Sequence, residues 1–145
     1  MLVTELMTPF AHTVESSMLM SEAAELMRDH NVGVLPVLEG ERLTGMLTDR
    51  DLVVRGLAEG KDPELTTVRE LMTPRVATVF DDQDLDDAIQ VMRDNRVRRV
   101  AVISHDRRLL GVLSEADLPQ GHPGRAELEE QSQDIPTTLN PPHAE

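Results

Sequence analysis

Cysteine, tryptophan and tyrosine are absent from this 145-residue chain, and phenylalanine occurs only as Phe10 and Phe80. Without cysteine there are no disulfides, no thiolate chemistry and no cysteine zinc site. With so little aromatic surface, the base-stacking platforms of single-strand binders are excluded. Any purine bound here must be sandwiched by aliphatic side chains. Lysine is almost missing too: of the 14 cations only Lys61 is a lysine. The balance against 27 carboxylates is a net charge of −13, which argues against general nucleic-acid binding, because a phosphate track needs cations along it. No apolar run approaches the roughly 18 residues of a membrane span. The N-terminus carries no basic-then-apolar signal. The expectation is a cytoplasmic protein with neither a membrane nor a nucleic acid as partner.

What the chain does contain, it contains twice. ELMTP at 5–9 returns at 70–74, Met27-Arg28-Asp29 returns as Met92-Arg93-Asp94, and GMLTDRDL at 45–52 is echoed by GVLSEADL at 111–118. A long period seen only twice means two copies of one small module, not a solenoid. Each copy has about 50 residues, marginal for an independent core. The copies are therefore expected to pack on one another and leave a cleft between them. The boundaries read as copy one at 2–58, a linker at 59–69, copy two at 70–118, and an acidic, proline-rich, disordered tail at 119–145 with a brief helical turn near Ala126–Glu130.

Within each copy the pattern predicts strand, helix, strand, strand, helix. Thr13-Val14 begins copy one as a short strand, followed by Leu19, Ala23, Leu26 and Met27 at helical spacing. Leu85, Ala88, Ile89 and Met92 match them in copy two, with Asp84 as a helix cap. VGVLPVL (32–38) and VRRVAVI (97–103) are β-branched and bounded by turn residues, and so read as strands. LTGMLT (43–48) and LLGVLS (109–114) pair with them. The fold class is mixed α/β, with helices against one face of a small sheet in each copy.

The chemistry rests on a repeated pattern: glycine, two apolar residues, a hydroxyl residue, two variable residues, aspartate. It occurs as Gly45-Met46-Leu47-Thr48-Asp49-Arg50-Asp51 and as Gly111-Val112-Leu113-Ser114-Glu115-Ala116-Asp117. A strand that ends in a helix N-terminus offers backbone N–H groups and a favourable dipole to an anion. The hydroxyl can bond phosphate or sugar, and the carboxylate suits a ribose diol. Ser/Thr-x-x-Asp is equally a helix capping box, and the two roles are compatible. Arg93, Arg96, Arg98, Arg99, Arg107 and Arg108 form a basic island in an acidic chain. They suit either a small anionic ligand or the surrounding carboxylates.

These residues carry a resemblance. The ELMTP starts, the VGVLPVL and VRRVAVI strands and the two glycine-led motifs resemble a tandem of CBS (cystathionine-β-synthase) domains over residues 2–120. The style is that of short stand-alone bacterial CBS-pair proteins of the hypoxic-response type. The resemblance implies pseudo-two-fold packing of the copies and clefts that bind AMP, ADP, ATP or S-adenosylmethionine. It implies a homodimer and a regulated protein partner, with no required cofactor. The nucleotide-binding roles carry over to Thr48, Asp51, Ser114 and Asp117, with Arg98 and Arg99 on phosphate. Copy one has Gly33 and Val34 at the positions of the two arginines, so the clefts are chemically unequal. Ala101 stands where copy one has Pro36, and Pro119 is expected to truncate the last helix.

The reading is a non-catalytic sensor of adenosine nucleotides. The alternative is an interaction protein with empty, vestigial clefts. No residues assign acid, base and nucleophile roles, so no enzyme is expected. Asp82, Asp84 and Asp86 open like a calcium loop, but Arg93 stands where such a loop needs glutamate. His12, His30, His105, His122 and His143 lack H-x-x-x-H spacing, and no metal site is assigned.

Overall fold

The computed structural model describes residues 1–10 and 12–130. In chain order the elements are α1 (Val3–Leu6), β1 (Val14–Glu15), α2 (Met20–His30), β2 (Val34–Glu39), β3 (Arg42–Thr48) and α3 (Asp49–Asp51), which continues as a π-helical stretch over Leu52–Leu57. Then follow α4 (Val68–Leu71), β4 (Thr78–Phe80), α5 (Leu85–Asn95), β5 (Arg99–Ile103), β6 (Leu109–Ser114), a 3-10 turn at Glu115–Asp117 and α6 (Pro123–Glu130). Copy one shows the expected order of strand, helix, strand, strand, helix; copy two follows it up to the last helix, which is only a three-residue 3-10 turn, in line with the truncation expected at Pro119.

The described residues form two three-stranded sheets of identical topology, β1-β2-β3 and β4-β5-β6. In each, the first pair is parallel and the second antiparallel. The parallel pair is joined by the crossover helix that such a pairing requires. The register slips once in each sheet, between Val37 and Leu38 and between Val102 and Ile103, so even the irregularity repeats. The crossover helices end alike as well, with Asn31 at φ 52° and Arg96 at φ 56° in the left-handed cap position.

The chain forms two compact units. One comprises Met1–Phe10 with Val76 onward, and the other is Ala11–Arg75. These do not follow the repeats, because each ELMTP segment joins the sheet of the other copy. Thr8 exchanges backbone hydrogen bonds with Val112 in β6, both 2.8 Å. Thr73 does the same with Met46 in β3, at 3.0 and 2.9 Å. The glycines of the repeated motif admit this contact. A Cβ on Gly111 would lie 2.9 Å from the Thr8 carbonyl oxygen, and one on Gly45 would lie 2.8 Å from that of Thr73.

Each unit has its own apolar core. In the first, α5 presents Leu85, Ala88, Ile89 and Met92, all buried, to Val100, Val102 and Leu113, with Val3 of α1 fully buried among them. In the second, Ala23 and Met27 of α2 meet Leu35, Val37 and Leu47, with Val68 and Leu71 of α4 in the equivalent place. Each large buried side chain contributes roughly 1.5–3 kcal/mol relative to exposure.

The end of the chain departs from the sequence expectation. Residues 123–130 form a full helix, and Leu128 is 0% exposed in the first core. Gly124 makes this docking close: a Cβ there would meet Ile89 Cδ1 at 2.4 Å. Arg93 Nη1 pairs with Glu127 Oε2 at 3.2 Å. The helical turn expected near Ala126–Glu130 is thus a longer helix beginning at Pro123, and disorder does not begin at 119. The expectation for 131–145 lies outside the described residues.

Candidate functional site

Thr48 and Asp51 close a capping box in both directions. Thr48 N donates to Asp51 Oδ2 at 2.9 Å, and Asp51 N donates to Thr48 Oγ1 at 3.0 Å. The two residues are only 2% and 1% exposed. Gly33 approaches from the strand side, accepting Asp49 N at its carbonyl at 2.9 Å. In this copy the motif's hydroxyl and carboxylate are turned onto the backbone of the helix they start.

Ser114 and Asp117 are arranged differently. Asp117 Oδ2 accepts from Ser114 N at 2.9 Å and from the Ser114 hydroxyl at 3.2 Å, and Oδ1 accepts from Thr8 Oγ1 at 3.4 Å. The Ser114 hydroxyl donates to the Asp117 carboxylate and accepts no backbone N–H of the turn that follows it. The physical reason is Pro119. It biases the preceding residue away from helical angles, and Leu118 is extended at ψ 142°. The turn therefore stops at Asp117, where the first copy runs on to Leu57. Both residues remain partly exposed.

Beside them lies a pocket of about 230 Å³ lined by Arg98, Arg99, Ser114, Glu115, Ala116 and Arg125. The start of β5 and the end of β6 bring the first residues together, since Arg99 and Ser114 are directly paired across the antiparallel ladder. Arg98 Nε lies 3.8 Å from Glu115 Oε2, a long pair, and Glu115 N donates to the Arg98 carbonyl at 2.9 Å. Of the six site residues expected from sequence, Arg98, Arg99 and Ser114 line this pocket, and Asp117 orients Ser114 from behind. Thr48 and Asp51 belong to the other unit.

Arg125 was missed by sequence reasoning. It lies in a segment read as tail, although Pro123 at the first helical position and the only cation after Arg108 were legible signals.

Elsewhere, Asp81, Asp82 and His105 bring their ligand-type atoms within 4.8 Å of one another. His105 Nε2 is 2.9 Å from Asp82 Oδ2, and its ring stacks on Phe80 with centroids 4.2 Å apart. The hydrogen bond to Asp82 raises the pKa of His105 above its ordinary value. No helix among the described residues is long and apolar enough to cross a membrane.

Two glycine-led motifs, two copies of one sheet and a polar pocket at the strand ends describe a paired regulatory module. The family model of the CBS domain matches residues 3–56 and 68–118, and the chain belongs to this family. CBS pairs are in general regulatory modules, and no catalytic family is indicated. The chain is similar to Hypoxic response protein 1 of Mycobacterium tuberculosis, with 42% identity over 108 residues covering 74% of this chain and 75% of that protein. The crystal structure of Hypoxic Response Protein I with two coordinated zinc ions superposes with a TM-score of 0.73 at 38% identity, covering 81% of this chain and 95% of that one. CBSX2 in complex with AMP superposes with a TM-score of 0.66 at 27% identity, covering 92% and 97%.

Proposed function

We propose that this protein is a non-catalytic sensor of phosphorylated adenosine and that the Arg98–Arg99–Ser114 pocket receives the phosphate. One observation carries the reading. In a chain of net charge −13, two arginines and a hydroxyl residue line one concave pocket. The global field opposes an anion, so local cations must decide binding. The AMP held by CBSX2 supports the ligand class. At about 230 Å³ the pocket is below the ~300–1,000 Å³ of ordinary small-molecule sites. It fits the anionic end of a nucleotide better than the whole molecule.

Asp117 is the proposed ribose acceptor and Arg99 a phosphate contact. Charge-assisted hydrogen bonds contribute about 1.5–3 kcal/mol. Arg99→Ala should therefore weaken AMP roughly 10- to 100-fold and leave adenosine nearly unchanged. Asp117→Ala should weaken both. Isothermal calorimetry with the two ligands on both variants is the test. Equal losses of AMP and adenosine from Arg99→Ala would remove the phosphate role, and no binding by the parent would favour the vestigial-cleft alternative.

The proposed sensor acts as a homodimer. Val53 (54% exposed), Val54 (41%) and Leu57 (69%) put apolar surface on one helical stretch that its own unit leaves uncovered. Neighbouring apolar residues of this kind mark association surfaces. Ligand binding would favour one arrangement of the dimer, which a regulated protein would read.

A further inference from the structure

The helix α6 lies beyond the family match, which ends at residue 118, yet it supplies part of the pocket wall. After the 3-10 turn the chain reverses at Pro119–His122, where His122 N donates to the Pro119 carbonyl at 3.1 Å and Gly121 takes φ 81°. It then returns as α6. Gly124 lies close against Ile89 and Leu128 is fully buried, which seats the helix on α5, and Arg93–Glu127 ties its outer face. This seating places Arg125 in the wall with Arg98 and Arg99. The charges there do not balance. Arg98 faces Glu115 at 3.8 Å. Arg99 and Arg125 have no carboxylate partner among the described residues. Arg125 gives one N–H to the Leu118 carbonyl, at 3.3 Å, of the five a guanidinium carries. With 27 carboxylates against 14 cations in the chain, a shortage of partners does not explain this.

We propose that Arg125 is a further anion-binding residue of this pocket, and that a phosphate held between Arg99 and Arg125 fastens α6 to the end of the second sheet. Seating α6 brings a second uncompensated cation to a wall that already holds Arg99. Like charges that line one pocket of about 230 Å³ repel each other, and an anion between them turns that repulsion into attraction. The charge matches: a phosphate monoester carries about −1.5 to −2 at neutral pH, against the two guanidinium groups left over once Glu115 offsets Arg98. Arginine forks also suit phosphate oxygens in geometry. Helix docking and anion binding are then linked. A phosphate that uses Arg125 favours the docked helix, and the docked helix favours the phosphate by the same factor. The inference deepens the proposed function and rests on it for the phosphate alone, not for the nucleoside.

The experiment follows the backbone amides of the full chain by NMR during titration with AMP, adenosine and inorganic phosphate, and reads hydrogen exchange in α6 with and without AMP. The variants are Arg125→Gln, Arg125→Lys and Glu127→Gln. AMP should slow exchange at the α6 amides of the parent, and adenosine should not. Arg125→Gln should weaken AMP and inorganic phosphate by roughly tenfold, leave adenosine unchanged and abolish the slowing by AMP. Arg125→Lys keeps the charge and should recover part of both effects. Glu127→Gln removes only the exposed tie to Arg93, a surface pair of small worth, and should hold AMP affinity within about twofold. AMP affinity unchanged in Arg125→Gln overturns the inference while leaving the sensor reading intact. An equal loss in Glu127→Gln also overturns it, since the effect would then come from helix seating. Exchange in α6 that AMP does not slow overturns the fastening of the helix. Inorganic phosphate bound as well as AMP by the parent, and lost in Arg125→Gln, upholds Arg125 and counts against the adenosine reading. A parent that binds neither AMP nor inorganic phosphate refutes both.

Discussion

At Gly45 and Gly111 a hydrogen in place of a side chain decides whether a strand can be joined. Each faces a backbone carbonyl from an ELMTP segment closer than a methyl group tolerates. Backbone cannot swing aside as a methionine tip can. Gly45→Ala and Gly111→Ala are therefore expected to destabilise the protein by about 1–3 kcal/mol, the usual cost of overpacking. Urea unfolding should show the midpoint lowered in each variant, and an unchanged midpoint would mean the Thr8 and Thr73 bridges yield at no cost. The same scale separates the two motifs chemically. The buried Thr48 and Asp51 are spent on each other, whereas Ser114 donates to Asp117 and still faces a pocket.

Among the elements, a single proline sets the difference between the copies. Where the first copy continues past Asp51 for six more residues, the second stops at Asp117, and the chain released by that stop returns as α6. The loops at the far end of the second sheet are linked by charge. Asp82, after β4, pairs with His105 between β5 and β6. The pKa of His105 is raised in the folded protein by that hydrogen bond, so the protonated pair stabilises the fold. That contribution is fully present below the unfolded value of 6.5 and disappears as pH rises through the folded value. Thermal melts of the parent and His105→Gln should accordingly differ most at pH 5–6 and converge at pH 8–9. A difference that grew with pH would contradict the assignment.

On the scale of the whole molecule, two features matter. The first is the exchange of N-terminal segments, by which residues 1–10 stabilise the second copy's sheet and residues 66–75 the first's. Each copy holds its own three strands, but the bridge on the edge strand of each sheet comes from the other copy's ELMTP segment. The second is the uncovered helical surface around Val53 and Leu57. If it mediates the proposed homodimer, sedimentation equilibrium should give a dimer at micromolar concentration. Leu57→Lys should shift it to monomer with the secondary structure retained. A strict monomer in the parent would count against the dimer.

The residue pattern alone determined the repeat, the strand-helix-strand-strand order, the cap at Asp84 and the truncation at Pro119. All of these follow from local periodicity, turn chemistry and backbone restriction, which act over a few residues. The resemblance to CBS pairs marked Arg98, Arg99, Ser114 and Asp117 as one nucleotide-binding group. Only the tertiary structure decided which ELMTP segment serves which sheet, since identical segments carry identical local information and the choice rests on long-range packing. Only it showed that Gly45 and Gly111 make room for backbone and that Thr48 and Asp51 are buried. And only it brought Arg125 to the pocket. That placement depends on Leu128 and Gly124 finding Ile89 and the core around it; Pro123 and the lone cation signal a helix start and a charge, but not where the helix docks.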